Sequence, residues 1–312
     1  MRAVRCVDGR ATVVELAAPA GEGVRIKTAS AGVCGSDLHM LDLGMLGPYT
    51  IGHEFAGWLE DGRPVAVEPL HGCGDCGLCR TGDYNRCPAN LADIAGISRD
   101  GGMADEVLMW PEAVVPLPTG VDVRDACLVE PIAIAVHGFR MIGLRGDMRV
   151  AVIGGGTIGQ TALAVARLTG CETAVSARHD AHNEAAARLG AAPQTAEPYA
   201  EVEDAAGTSS ALADAAARCR PGGTMLLLGT YWAGMELPAM DVCVKEIRIV
   251  PSMTYGRSGP GRDVDTAAGV LAQLPDLPAA IITHRFPLDA ASEAFATAAD
   301  RAAGAIKVVL EP

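Results

Sequence analysis

The sequence predicts an α/β protein of about two domains. Three observations carry that reading. The chain has 312 residues, 49% of them hydrophobic and only 4% aromatic, so a full core is available without staples. Short apolar runs alternate with alanine-rich stretches, as strands alternate with helices in a layered fold. One stretch, "MRVAVIGGGTIGQTALAVARLTG", has the form of a strand, a glycine-rich turn and a helix.

The chain opens with "MRAVRCVDGRATVVELAAP", which reads as two strands joined by a turn at Asp8-Gly9 and not as a signal peptide. No apolar run is long enough to span a bilayer. The formal net charge of −13 repels phosphate backbones and anionic lipid, so neither nucleic acid nor a membrane is expected as a partner. A cytoplasmic location follows, and structural disulfides are rare there.

Two motifs come next, "AGVCGSDLHM" and "IGHEFAG". They gather Cys34, Ser36, Asp37, His39, His53 and Glu54 in one region. Cysteine, histidine and a carboxylate suit zinc. Spacing alone leaves bland readings open: a core thiol, loop histidines and a solvated acid.

"HGCGDCGLCRTGDYNRCP" holds Cys73, Cys76, Cys79 and Cys87 as C-x2-C-x2-C-x7-C. Gly72, Gly74, Gly77 and Gly82 give the backbone freedom to turn the thiolates onto one ion. Four sulfurs with no open position describe a structural zinc. An iron–sulfur cluster lacks other support. A redox pair would open a helix and would not share its loop with two further thiols. A closed site cannot bind substrate, so the chemistry lies elsewhere. His71 stands beside this cluster but is redundant to it.

In the glycine-rich stretch, Val150–Ile153 reads as a buried parallel strand and Thr157–Leu168 as a helix stopped by Gly170. Gly154 and Gly156 permit the tight turn and the approach of a pyrophosphate. Gly159 lets helix and strand pack closely. In this setting G-x-G-x-x-G indicates a nucleotide fold, the alternative being a related fold that binds a flavin nucleotide or a methyl donor. The next strand, "CETAVSARHD", should end in the acid that holds the ribose of NAD. Ala177 stands there instead, after Ser176 and before Arg178 and His179. Loss of the carboxylate and gain of Arg178 predict a preference for NADP over NAD. The acidic run "EVEDAAG" reads as part strand and part solvated surface. Cys6, Cys127, Cys171, Cys219 and Cys243 read as buried thiols, and His137 as an interior histidine.

Together, "GVCGSDLH", "GHEFAG", the four-cysteine lobe, "GGMADEV", "LVEPIAIAVHG", "VIGGGTIG" and "AFATAADRAAGAIKVVLEP" resemble the zinc-dependent medium-chain dehydrogenase/reductase family over nearly the whole chain. The nearest branch is that of the polyol and threonine dehydrogenases. The resemblance implies a doubly wound Rossmann domain inserted into a GroES-like distorted β-barrel catalytic domain. The catalytic part spans residues 1–131, with the structural-zinc lobe at about 71–88. The Rossmann part spans 132–256, and 257–312 returns to the catalytic part. The cleft between them would hold nicotinamide and substrate. The link after "GHEFAGW" is clipped to a turn at Asp61-Gly62, since the chain is shorter than most members.

Family roles transfer position by position. Cys34 and His53 match ligands of the catalytic zinc, and Glu54 matches the adjacent carboxylate. Glu130, in "LVEP", matches a glutamate that binds zinc directly or through water. Ser36 matches the hydroxyl that meets the substrate oxygen, His39 the outer histidine of a proton relay, and Asp37 the acid that orients His53. Expected cofactor contacts are Gly154, Gly156, Thr157, Ile158, Gly159, Ser176, Arg178, His179 and Gly229. Two zinc ions per chain and a homodimer or homotetramer are implied. A zinc-acidified alcohol would lose its proton through Ser36 toward His39 and its hydride to nicotinamide. Cys34 and one glutamate would balance the ion's charge. The expected activity is NADP-preferring oxidation of a secondary alcohol in a polyol, sugar alcohol or cyclitol. Alternatives are a biosynthetic reductase of a larger ketone, imine or activated alkene, and a non-catalytic zinc and nucleotide-binding scaffold.

Overall fold

The computed structural model describes residues 1–312 apart from Ala92 and the side chain of Leu91. The chain forms two compact units. One comprises Met1–Glu130, Gly256–Pro278 and Ile282–Pro312; the other comprises Pro131–Tyr255 with Ala279–Ile281.

The first unit opens with the antiparallel hairpin β1 (Arg2–Val7) and β2 (Arg10–Glu15). Asp8 and Gly9 join them at φ 47° and 73°, the left-handed pair that a two-residue hairpin turn needs. Then come β3 (Val24–Val33), α1 (Gly35–Asp42), β4 (Glu54–Leu59) and β5 (Pro64–Val67). Gly62, at φ 83°, makes the turn between β4 and β5. The short helices α2 (Gly77–Thr81) and α3 (Pro88–Leu91) lie in the cysteine-rich segment, and β6 (Glu106–Met109) and β7 (Val114–Pro116) follow.

Helix α4 (Val129–Ile142) carries the chain into the second unit. There strands and helices alternate: β8 (Arg149–Ile153), α5 (Thr157–Thr169), β9 (Glu172–Ser176), α6 (Asp180–Arg188), β10 (Tyr199–Asp204), α7 (Ser209–Arg218), β11 (Cys219–Leu227), α8 (Ala239–Val244) and β12 (Arg248–Pro251). The five strands form a parallel sheet in the order β12-β11-β10-β8-β9. This is the Rossmann arrangement, in which helices cover the sheet and most strand residues are buried. Val202, Leu212, Ala215 and Met225 form a core between α7 and the sheet.

The chain returns to the first unit through the two-residue strands β13 (Arg257–Ser258) and β14 (Gly261–Arg262), then α9 (Asp263–Gln273), α10 (Leu277–Ile281, whose last three residues group with the second unit), β15 (Ile282–Pro287), α11 (Ala291–Ala299) and β16 (Lys307–Glu311). The main sheet of this unit runs β15-β16-β3-β4-β5-β7, with β6 also paired to β3. Only the β15–β16 pairing is parallel. Ile26, Phe55, Met103, Met109 and Phe295 sit in its core. This is the GroES-like half of the fold.

Two expectations are corrected. The acids of "EVEDAAG" are not solvated: Glu201, Glu203 and Asp204 are buried, because β10 is the middle strand of five. Both carboxylate oxygens of Glu203 lack a hydrogen-bond partner among the described residues. Burial, then the neighbouring Glu201, hold Glu203 protonated far above the ordinary glutamate range. Cys243 is exposed, because α8 buries none of its residues. Cys6 is partly exposed, while Cys127, Cys171 and Cys219 are buried. Among the described residues no helix is long and apolar enough to cross a membrane.

Candidate active site

Cys34 ends β3's run and caps α1 with an extended backbone (φ −91°, ψ 153°). That conformation turns its thiol to the start of the helix, beside Ser36 and Asp37. Asp37 is fully buried and does two things at once. One carboxylate oxygen accepts the Cys34 amide at 2.9 Å; the other lies 3.2 Å from His53 Nδ1. The two atoms meet as a charge contact without hydrogen-bond geometry, and Nε2 lies on the opposite side of the ring. Ser36 Oγ sits 3.3 Å from that Nε2.

His53 and Glu54 are adjacent, yet both face the same site, because His53 precedes β4 and Glu54 begins it. Donor atoms of Cys34, His53 and Glu54 all lie within 4.8 Å of one another. The structure thus brings three of the expected ligands together. Glu130 is buried at the first turn of α4 and is not one of the three. The electrostatics fit a cation. Burial disfavours a charged His53, but Asp37 and Cys34 outweigh it and raise the ring well above an ordinary histidine. A dense negative field around a thiol, an imidazole and a carboxylate is what Zn²⁺ neutralises.

Two residues that the sequence reading missed complete this site. Lys307, on β16, is buried and donates to the Glu54 carboxylate and, at 3.1 Å, to the Val33 carbonyl. Burial works against its ammonium, but Glu54 and Cys34 hold its pKa above the ordinary lysine value. It therefore adds a positive charge beside the metal ligands, so Cys34 and a glutamate alone do not set the charge of the centre. Gly32 pairs with Glu54 across β3 and β4. A Cβ at Gly32 would stand 2.3 Å from Glu54 Oε2, so only glycine leaves room for the carboxylate.

His39 lies on the outer face of α1. Partial burial, then the charge of Arg301, lowers its pKa below the ordinary histidine value.

The four-cysteine segment is a second, separate cluster. The sulfurs of Cys73, Cys76, Cys79 and Cys87 lie within 4.8 Å of one another and are unpaired by disulfides. Backbone amides point at them, Cys76 N to Cys73 Sγ at 3.4 Å and Cys73 N to Cys87 Sγ at 3.5 Å. The Cys73 amide lowers the Cys87 thiol to about 6, while burial pushes Cys79 up to about 12. This set fits a closed zinc site. Gly74 and Gly82 have positive φ; Gly77 does not, while Gly72 is needed for close approach, since its Cβ would meet Cys79 Sγ at 2.8 Å. The lobe is tied down elsewhere in its own unit. Tyr84 donates to Glu68, which also accepts Arg262 at 3.0 Å, and the Arg257 amide donates to the Gly82 carbonyl at 2.9 Å. His71 stacks on Trp110, with ring centroids 4.6 Å apart, and its Nδ1 lies 3.1 Å from Asp93.

In the second unit the glycine-rich turn has the geometry its spacing predicts. Gly154 adopts φ 112° and donates to the Ser176 carbonyl at 2.8 Å. Gly156 caps α5, so Thr157 and Ile158 form its first turn. A Cβ at Gly159 would fall 1.8 Å from the Gly154 carbonyl oxygen. The fully buried Gln160, missed in the sequence, braces the turn by donating to the Gly155 and His182 carbonyls at 3.0 and 2.8 Å. Ala177 follows β9 directly, and Asn183 clasps both its amide and its carbonyl. Arg178 is exposed with no carboxylate partner among the described residues. His179 caps α6 and packs edge-on against His182. Gly229 lies just after β11, where its amide reaches the Asp204 carbonyl at 2.8 Å and a Cβ would meet the Gly207 amide nitrogen at 2.4 Å.

Comparison with known proteins agrees with this fold. Residues 20–119 match the alcohol dehydrogenase GroES-like domain family. The chain is 28% identical to galactitol 1-phosphate 5-dehydrogenase of Escherichia coli strain K12, over 93% of the chain and 94% of that protein. It is 28% identical to sorbitol dehydrogenase of Arabidopsis thaliana, over 92% and 87%. A zinc-binding dehydrogenase from Sinorhizobium meliloti 1021, solved bound to NADP, superposes with a TM-score of 0.87 at 26% identity, covering 100% of this chain and 99% of that one.

Proposed function

Since the chain belongs to the zinc-dependent medium-chain dehydrogenase/reductase family, in its polyol dehydrogenase-like branch, we propose that it oxidises a secondary hydroxyl of a polyol or sugar alcohol with NADP. The observation that carries this reading is the convergence of Cys34, His53 and Glu54 in a site separate from the four-cysteine cluster. The similarity to a galactitol 1-phosphate dehydrogenase and a sorbitol dehydrogenase supports the substrate class.

Cys34, His53 and Glu54 would hold the catalytic zinc, with Glu130 joining directly or through water. Bound there, zinc would polarise the substrate oxygen and lower its proton affinity. The Asp37 carboxylate would orient His53 through its charge. Ser36 takes the hydroxyl proton and passes it toward His39, whose depressed pKa keeps it neutral and able to accept. A bound nicotinamide would accept hydride from the same carbon, so one ketone, one reduced cofactor and one proton would be produced. Cys73, Cys76, Cys79 and Cys87 would hold the second zinc and shape their loop. The first unit supplies the catalytic ligands, and the second binds the cofactor through Gly154, Gly156, Thr157, Ile158, Gly159, Ser176 and Gly229.

The NADP preference rests on Ala177, Arg178 and His179: no acid repels a 2′-phosphate, and Arg178 is uncommitted. The S. meliloti protein, bound to NADP, is consistent with it. A homodimer or homotetramer is supported by the edge position of β12 and by exposed Met240, Val244 and Met253 near it in sequence; sedimentation at micromolar concentration tests it.

The deciding experiment is turnover of the zinc-loaded protein with NADP and NAD across polyols, cyclitols, simple secondary alcohols and ketones. Polyol oxidation that is faster with NADP is expected. Cys34→Ser should abolish turnover and leave cofactor binding intact. Activity in that variant overturns the assignment of the site.

A further inference from the structure

Arg301 is a cation without a counter-charge beside the catalytic ligands. It opens the 3₁₀ turn Arg301–Ala303 between α11 and β16, a turn fixed by Asp300 accepting the Ala303 amide at 3.1 Å. Helix α11 packs on α1, and the turn lays the guanidinium against the start of α1. Its Nη2 stands 3.3 Å from where a Cβ would be at Gly35, the residue after Cys34. Its charge also reaches His39.

Many other arginines of this unit are committed, although exposed Arg10 and Arg80, like exposed Arg301, pair with no carboxylate among the described residues. Arg2 pairs with Asp105 and Asp289, Arg262 with Glu68 and Asp265, and Arg285 with Asp125 and Glu311. Arg301 pairs with no carboxylate among the described residues, in a chain whose acids outnumber its lysines and arginines 38 to 25. Its nearest acid in sequence, Asp300, is engaged with the backbone. The absence of a side chain at Gly35 leaves the guanidinium room to lie along the helix. A planar fork of donors in this position suits a tetrahedral oxyanion. In a molecule this acidic, an anionic group approaching the site needs a local cation to offset the general repulsion.

We infer that Arg301 is an anion-recognition residue of the catalytic unit and receives a phosphate oxygen of a bound reactant. This rests on the reading of Cys34, His53 and Glu54 as the site where the reactants meet. The phosphate belongs either to the nucleotide cofactor or to a phosphorylated substrate, and two titrations separate these sources. Calorimetry of zinc-loaded wild type, Arg301→Gln and Arg301→Lys would use NADPH in one arm, and sorbitol beside sorbitol 6-phosphate in the other.

Arg301→Gln should weaken one phosphate-bearing ligand about tenfold, the scale of one charge-assisted hydrogen bond. Arg301→Lys should recover part of the loss, and sorbitol binding should stay unchanged. Weakening of NADPH alone assigns the cofactor's phosphate. Weakening of sorbitol 6-phosphate alone assigns the substrate's. Wild-type affinity of Arg301→Gln for every ligand that the wild type binds overturns the inference, as does equal weakening of sorbitol and its phosphate with NADPH unaffected. Because binding is read directly, the result stands even if the wild type oxidises no polyol, an outcome that would refute the proposed reaction instead.

Discussion

Lys307 and Glu54 form an ion pair sealed from solvent, each side chain 1% exposed, across 253 residues of sequence. The ammonium occupies one carboxylate oxygen and leaves the other for a metal. Taking away the lysine would strand a buried charge, which costs far more than the pair gains over a neutral replacement. Lys307→Met should therefore destabilise the zinc-free protein by about 3 kcal/mol or more, while Lys307→Arg loses much less. Urea unfolding of the three proteins checks this. A loss under ~1 kcal/mol for Lys307→Met, the scale of an exposed pair, would mean that Glu54 does not depend on the lysine.

The two metal sites should separate by mutation. Cys87→Ser should lower zinc content from two ions per chain toward one and lower the melting temperature, since a closed site stabilises its loop outright. Cys34→Ser should remove the other ion with little effect on melting. Elemental analysis beside thermal unfolding reads both, and loss of both ions from either variant would contradict independent sites.

Arg178→Ala should raise the Michaelis constant for NADP about tenfold and leave that for NAD unchanged, as expected for one charge-assisted hydrogen bond to the 2′-phosphate. Steady-state kinetics with both nucleotides decides it. Equal effects on the two would remove Arg178 from nucleotide selection.

Glu203 makes stability depend on pH in a definite direction. Its carboxyl is held protonated in the folded protein, far above the ordinary value of 4.5 that it regains on unfolding. The folded state then binds the extra proton, so this contribution is complete below about pH 4.5 and is lost as pH rises toward the folded value. Glu203→Gln keeps the shape and removes the titration. Wild type should lose more stability than Glu203→Gln between pH 6 and pH 9, measured by urea midpoints. Parallel losses would show that Glu203 finds a compensating partner.

What the sequence revealed tracks how locally each feature is encoded. The Asp8-Gly9 hairpin, the β8–α5 turn and the four-cysteine cluster each lie within about 25 consecutive residues, where spacing and turn chemistry suffice. Cys34, His53 and Glu54 gained meaning through whole-chain resemblance, since ligands on separate elements follow no spacing rule. Gly32 and Lys307 were invisible for a related reason. Their importance comes from the register of β3 against β4 and β16, which no single segment states. Glu203 misled because an acid normally marks a wet surface, and only the strand order places it at the centre of the sheet.

Strand β16 lies between β15 and β3 in the first unit, and that bears on the order in which the molecule is made. The second unit is encoded almost wholly before residue 256 and can close while translation continues. Until residues 307–311 emerge, β3 keeps an open edge and Glu54 has no ammonium beside it. The catalytic half of a nascent chain therefore stays unfinished until residues 307–311 are made, and a ribosome stalled just short of them would present chaperones with a completed nucleotide fold attached to an unsealed sheet.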